Sequence, residues 1–425
     1  MNTLEIFKKI CTIPHCSHNT EKLRDFIEEF CLKEGCFVEI DTAGNILAKK
    51  GYPEICLQAH YDMVCVGKAP KLELYEENGY LKAKDSSLGA DNGIGVALML
   101  NAAQSCNNVE LLFTNDEEVG MIGANNLQLA PKSNKVLNLD TEEFGKVFIG
   151  CAGGVDITIK KEYKKEMLLD CDIYKISISG LPGGHSGVDI DKHIPNAIKE
   201  IGFYLREFYP KIITLNAGEA INSIPRNAKA FIALKKGETP PVYKFVTIEK
   251  IHSDFDSCFS DSKEIIDMIC GFANGVRGYD KELQIPTKSV NLSKIQTIND
   301  TIVLNIFPRA NNDFLLERLK NEIISYFVTL GCEINISNQY GSWEPIISNF
   351  TKDVYRVYKE EFQDISYAAI HAGLECGVLL EKFIDKKYIA SIGPNIYNPH
   401  SVYERCEISS VLKIEKIIKK LLQKL

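Results

Sequence analysis

Apolar positions in the first part of the chain fall in short runs, and several of these runs end at a residue able to carry charge. Ile55–Ala59 stops at His60-Tyr61-Asp62, Val109–Phe113 leads to Asp116-Glu117-Glu118 with Gly120 beyond, and Val136–Leu139 stops at Asp140-Thr141-Glu142-Glu143. Short apolar runs bounded by turn residues predict buried strands. Between them, spacing of three and four predicts helices. The opening M-N-T-L-E-I-F-K-K-I is amphipathic, and Leu23, Phe26, Ile27, Phe30 and Cys31 share one face of a helix over Glu21–Glu34, with Thr20 as its cap and Gly35 as its stop. Phe37–Ile40 and Asn45–Ala48 read as strands about a turn at Thr42–Gly44, and Gly79–Lys84 as another. The loop Thr12–Asn19 carries His15 and His18, both read as loop or surface histidines.

In S-S-L-G-A-D-N-G-I-G, from Ser86 to Gly95, the glycines permit a tight turn beside Asp91, and a helix starts near Asn92 with Val96, Met99 and Leu100 buried. The Walker lysine and the dinucleotide spacing are both absent, which argues against a phosphate cradle. From about Gly153 the pattern changes. Strands at Tyr174–Ser179, Ala228–Leu234 and Thr301–Ile306 mix with helices near Ile194–Tyr209 and Phe314–Tyr326, and the earlier pattern resumes near Pro345. Tyr388–Ile392 is then a strand, followed by a Pro-fixed loop carrying His400 and a final helix rich in Lys and Ile. The expected fold is α/β with two domains: a mixed-sheet domain over residues 1–152 and 346–425, and an α+β insertion over 153–345.

Composition narrows the function. A chain of 425 residues with 45% hydrophobic and 25% charged residues is that of a soluble globular protein of two or three domains. Its net charge of -8 argues against a nucleic-acid partner. No opening segment is long and apolar enough for a membrane span or signal peptide, so a cytoplasmic protein without a membrane partner is expected. The 14 cysteines lack C-x-x-C pairing and read as reduced, mostly buried thiols.

The strand ends carry the chemistry. Ligands of open α/β sheets collect beyond the carboxyl ends of the strands. There His60, Asp91, Glu117, Glu118 and Asp140 recur, and the C-terminal loop offers His400. Any one of these has a bland alternative: three adjacent acids often form a solvated turn, and H-x-D alone is a weak signal. Their repetition is what weighs. Two metals sharing Asp91 would have two histidines and two further carboxylates between them, a nitrogen-and-oxygen set suited to two zinc ions, with cobalt or manganese possible.

Q-A-H-Y-D-M-V, S-L-G-A-D-N-G-I-G, N-D-E-E-V-G, N-L-D-T-E-E, C-A-G-G-V-D, G-L-P-G-G-H-S-G, H-A-G-L-E-C-G and N-P-H-S, in this order, resemble the bacterial aminoacyl-histidine dipeptidases. These are a branch of the co-catalytic zinc exopeptidases that include peptidase V, carboxypeptidase G and the aminoacylases. After His400, S-V-Y-E replaces the S-P-D-E usual in the branch. The resemblance implies that His60 and His400 each ligate one metal, Asp91 bridges, and Glu118 and Asp140 complete the two sites. Asp62 would orient His60, and Glu117 would be general base and acid. It makes the insertion a lid, large enough for two similar halves, that serves a monomer or pairs into a homodimer. Within it His185 becomes the oxyanion donor, and Asn222 and Arg309 the binders of the substrate carboxylate. Arg226 matches a motif without an assigned role. Glu375 would either attract the substrate amine or support the site from behind. The expected activity is hydrolysis of small unblocked dipeptides, including Xaa-His types such as β-alanyl-histidine. The alternatives are an N-acyl amino acid amidohydrolase on the same fold and a non-catalytic metal-binding protein.

Overall fold

The computed structural model describes residues 1–383 and 388–424. The chain divides into two compact units, one of Met1–Cys151, Trp343–Ala369 and Leu374–Leu425, the other of Ala152–Ser342 and Ile370–Gly373. Ile370–Gly373 were expected with the first unit and group with the second. Two backbone bonds explain this: Ala152 N–H donates to the carbonyls of Ile370 and Ala372.

The first unit is built on an eight-stranded mixed sheet, in the order Phe37–Ile40, Ile46–Lys50, Val109–Thr114, Ile55–His60, Lys135–Asn138, Tyr388–Ser391, Lys146–Cys151, Ser366–Ile370. Ile55–His60 lies parallel to both Val109–Thr114 and Lys135–Asn138, and Tyr388–Ser391 is parallel to Lys135–Asn138. Every residue of Ile55–His60 and Val109–Thr114 is buried. Parallel strands covered on both faces need continuous apolar runs, which is why these segments do not alternate. Each aliphatic side chain so buried contributes roughly 1.5–3 kcal/mol.

Helices Thr3–Ile10, Glu21–Lys33, Ala90–Ser105, Asn349–Glu361, Glu375–Lys382 and Ile408–Lys424 belong to this unit. Asn2 closes a capping box on the first of them. Thr20 does not cap the second: its hydroxyl donates to Asn115 Oδ1 at 2.8 Å instead. His15, read as a loop or surface histidine, lies in a loop but is 2% exposed, and burial lowers its pKa. Its loop folds back under Met63, whose N–H donates to the His15 carbonyl at 3.1 Å. The cysteine expectation also needs correction. Cys16 and Cys65 form a disulfide, and the other twelve cysteines lie outside any disulfide, ten of them buried.

The second unit contains a nine-stranded sheet. Thr247–Ile251, Cys171–Ile178, Ala228–Lys235 and Lys211–Ala217 form one run, and Ile285–Ile298, Thr301–Ala310, Gly153–Glu162 and Glu333–Tyr340 another, with Gly275–Asp280 added beside Ile285–Ile298. The runs meet at a single register pair, Ala217 with Ile295. One apolar cluster, including Ile176, Ile201, Ile269, Leu304 and Phe327, fills the space between this sheet and helices Ala197–Arg206, Ser262–Gly271 and Asp313–Thr329. Among the described residues no helix is long and apolar enough to cross a membrane.

Candidate metal centre

His60 ends its strand with a ring that is 1% exposed. Its Nε2 lies 3.2 Å from Asp91 Oδ1 and 3.2 Å from Asp140 Oδ1. Its Nδ1 faces Asp62, 3.2 Å from the carbonyl and 3.4 Å from Oδ1. A histidine whose Nδ1–H is held by such acceptors presents Nε2 as the ligating nitrogen. Asp91 turns its other oxygen to the second imidazole, with Oδ2 at 3.0 Å from His400 Nε2, and that nitrogen lies 2.7 Å from Glu118 Oε1. Asp91 therefore stands between two histidines, with Asp140 on the His60 side and Glu118 on the His400 side.

Local backbone makes this possible. Gly89 adopts φ +70°, and Asp91 and Asn92 leave helical geometry before the regular helix proceeds from Gly93. The Asn92 amide then donates to Asp140 Oδ1 and accepts the Gly95 N–H at 3.1 Å. At the acidic stretch, the N–H groups of Glu117 and Glu118 donate to Asp62 Oδ1 and Oδ2 at 2.9 and 3.3 Å. Asp62 thus orients His60 and anchors both glutamates at once.

Electrostatics ask for cations here. Burial alone would lower the His400 pKa, but hydrogen bonding to Asp91 and Glu118 overrides it and takes the ring up to about 11. His60 is also raised well above its ordinary value, against burial, chiefly by Asp140. Burial, reinforced by Glu118, Asp140 and Glu375, pushes the Glu117 carboxyl well up, and Glu118 is raised to about 7 by burial and Asp91. Among the described residues, the imidazoles are the cationic groups within reach of Asp91, Glu118 and Asp140. Clustered, buried carboxylates are costly without positive partners. The ligand-capable atoms of His60, Asp91 and Asp140 lie within 4.8 Å of one another, as do those of Asp91, Glu118 and His400. Two imidazole nitrogens with carboxylate oxygens at this spacing fit divalent cations of the zinc type.

Beneath the centre lies a buried polar floor. Glu375 Oε2 accepts from Gln58 at 2.7 Å and from the Thr114 hydroxyl at 2.6 Å, and Gln58 Oε1 accepts from Asn138 at 2.6 Å. Glu375 is wholly buried, and burial raises its carboxyl to about 7.

In the second unit, His185 lies on the two-residue strand Gly184–His185, paired with Ser223–Ile224. Its Nδ1 accepts the N–H groups of Gly187 and Val188 at 3.3 and 3.1 Å, which puts the proton on Nε2. Asn222 is exposed, and its carbonyl accepts the Ser186 N–H at 2.8 Å. Arg309 is 3% exposed, donates to the Tyr340 hydroxyl at 2.7 Å and to Ser186 Oγ at 3.4 Å, and stacks on Phe307. Arg226 is exposed and donates to the Leu181 carbonyl at 3.2 Å.

The cytosol non-specific dipeptidase of Escherichia coli (strain K12) is 30% identical over 96% of this chain and 94% of its own length. The chain belongs to that dipeptidase family and is a metallopeptidase. An aminoacylhistidine dipeptidase from Vibrio alginolyticus superposes with a TM-score of 0.83 at 28% identity, covering 100% of this chain and 96% of that one. A tripeptidase from Staphylococcus aureus shares the fold at a TM-score of 0.64 and 14% identity, covering 99% and 97%. The profile of peptidase family M28 matches residues 43–158.

Sequence reasoning missed several residues of this dipeptidase. Glu404 is 3% exposed and accepts four backbone N–H groups from Leu88 to Asp91. Ser17 donates to Asp62 Oδ2 at 2.8 Å. Gln58 and Asn138 carry the floor, and each is a polar residue inside an apolar strand run, a signal that could have been read.

Proposed function

We propose that the protein hydrolyses unblocked dipeptides, Xaa-His types among them, at a pair of divalent cations, preferably zinc, with Glu117 as general base. The observation that carries this reading is the divided set around Asp91. Its two oxygens face two different imidazoles, each with one further carboxylate, while Glu117 stays next to Glu118 as an additional acid. His60, Asp91 and Asp140 would hold one ion, and Asp91, Glu118 and His400 the other. Ions bound there would lower the pKa of a water between them and polarise the scissile carbonyl.

The chain's own groups would do the rest. Glu117 accepts the proton of the attacking water and returns it to the leaving amine. Asp62 fixes both the His60 ring and the Glu117 backbone. His185, with its proton on Nε2, donates to the oxyanion. Arg309 suits the substrate carboxylate because it is buried and bonded to hydroxyls, not to an acid, among the described residues. The Xaa-His preference draws on likeness to the Vibrio alginolyticus aminoacylhistidine dipeptidase.

The test is a panel of free dipeptides and N-acetylated amino acids, assayed before chelation, after it, and with Zn²⁺, Co²⁺ or Mn²⁺ restored. Turnover of free dipeptides that disappears and returns with metal supports the proposal. Hydrolysis confined to the acetylated set would replace it with an amidohydrolase, and metal uptake without any hydrolysis would leave a binding protein.

A further inference from the structure

We infer that Glu404 is the positioning residue for the His400 half of the metal centre, acting on Asp91 and His400 through the backbone that carries them where Asp62 faces the His60 ring directly. This rests on the reading of Asp91 and His400 as metal ligands.

The two histidines are held by different means. His60 is the end of a buried strand and is 1% exposed, so its place follows from the sheet. His400 sits in a loop with φ 56°, and its side chain is 45% exposed. Packing does little to fix it. What ties this loop down is four residues further on.

The Glu404 carboxylate receives the N–H groups of Leu88 and Gly89 on Oε2 at 2.7 and 3.1 Å, and of Ala90 and Asp91 on Oε1 at 2.8 and 3.4 Å. These bonds join segments 313 to 316 residues apart in sequence. A carboxylate accepts at both oxygens, whereas a carboxamide turns a donor toward two of those N–H groups. One acid therefore gathers the entire turn that carries Asp91.

Its link to His400 is short and closed. The Glu404 N–H donates to the Ser401 carbonyl at 3.2 Å, the Tyr403 N–H to Ser401 Oγ at 3.1 Å, and Ser401 Oγ to the Asn398 carbonyl at 2.7 Å. Immediately after Glu404, Arg405–Glu407 pairs with Tyr80–Ala83. Glu404 thus stands between a hydrogen-bonded turn bearing His400 and a strand anchored in the same unit. The 3.0 Å approach of His400 to Asp91 is set through this residue.

The experiment compares wild type, Glu404→Gln and Glu404→Asp as full-length proteins, stripped of metal and titrated with Zn²⁺ against a chromophoric chelator. Co²⁺ absorption serves as a direct report of coordination. We expect Glu404→Gln to bind its most affected ion at least ~10-fold more weakly, with Glu404→Asp at or between the two, since loss of a ligand-orienting partner typically costs about 10- to 100-fold in affinity. At saturating metal kcat should recover and KM for a dipeptide stay unchanged, which a mere loss of fold stability would not produce. Affinity within about twofold of wild type in folded Glu404→Gln overturns the inference, whatever the Asp variant does. If the Gln variant does not fold, the Asp variant decides: weakening of about threefold or more supports the role and less overturns it. If neither folds, Glu404 serves stability alone and the inference falls. A wild type that binds no Zn²⁺ would instead sink the metal reading beneath it.

Discussion

The Asp62 carboxylate accepts the Glu117 N–H at 2.9 Å while the same oxygen stands 3.4 Å from Nδ1 of His60. His60, a proposed ligand, and Glu117, the group proposed to move the proton, therefore share one anchor. Asp62→Asn keeps the volume but replaces one acceptor with a donor that must face an N–H or an imidazole N–H. We expect metal affinity to fall about 10- to 100-fold and kcat to fall as well, even at saturating metal. Chelator competition together with steady-state rates checks this; wild-type values for both would refute the shared anchor.

Glu117 and Glu118 are neighbours in sequence and differ in surroundings: Glu118 Oε1 lies 2.7 Å from His400 Nε2, whereas Glu117 lies on the other side, within 4.8 Å of His60 and of Glu118 itself. Glu117→Gln should retain its metal and lose turnover by about 10²- to 10⁴-fold, the usual worth of a positioned base. Glu118→Gln should lose metal first. Metal analysis beside single-turnover rates separates the two, and substantial hydrolysis by Glu117→Gln would remove the base assignment.

The strands and their charged ends were legible because a parallel strand buried on both faces must be apolar and must stop where it meets the site. His60, Asp91, Glu117, Glu118, Asp140 and His400 could all be marked in this way, and they lie together in the first unit. Glu404 could not, since its partners are backbone N–H groups that no side-chain pattern reports. The burial of His15 and the Cys16–Cys65 pair escape the pattern for a related reason: loops have no periodicity, so what they bury depends on how they fold back. Thr20 looked like a cap by type and position, yet Asn115 offered its hydroxyl a better partner.

Without metal, carboxylates keep His60 and His400 protonated, His400 up to a pKa of about 11. The same nitrogens are the proposed ligands, so metal must displace those protons. Affinity should weaken as pH falls, and saturation near neutrality should release at least about two protons per site pair, one from each imidazole, with a further contribution from Glu118, whose carboxyl is raised to about 7. Calorimetry in buffers of different ionisation heat measures the number. Release of none would contradict ligation through these imidazoles.

Cys16 and Cys65 close a separation of 49 residues. Thiol titration of the denatured, unreduced protein should give twelve groups, and fourteen after reduction. Reduction should lower stability by about 2–4 kcal/mol. Fourteen thiols without reductant would remove the bond.

With its proton on Nε2, His185 is ready to donate. His185→Ala should cut kcat by about 10²-fold while metal content stays unchanged, in keeping with the loss of one oxyanion donor. An unchanged kcat would exclude that role.

Tyr388–Ser391 is flanked by Lys135–Asn138 and Lys146–Cys151, so two strands of the first unit's sheet wait for a neighbour made long after both. On the ribosome, the second unit, continuous but for four residues, emerges almost whole while the earlier-made strands still lack their central neighbour. Synthesis therefore leaves two sheet edges exposed until that late strand emerges to close them.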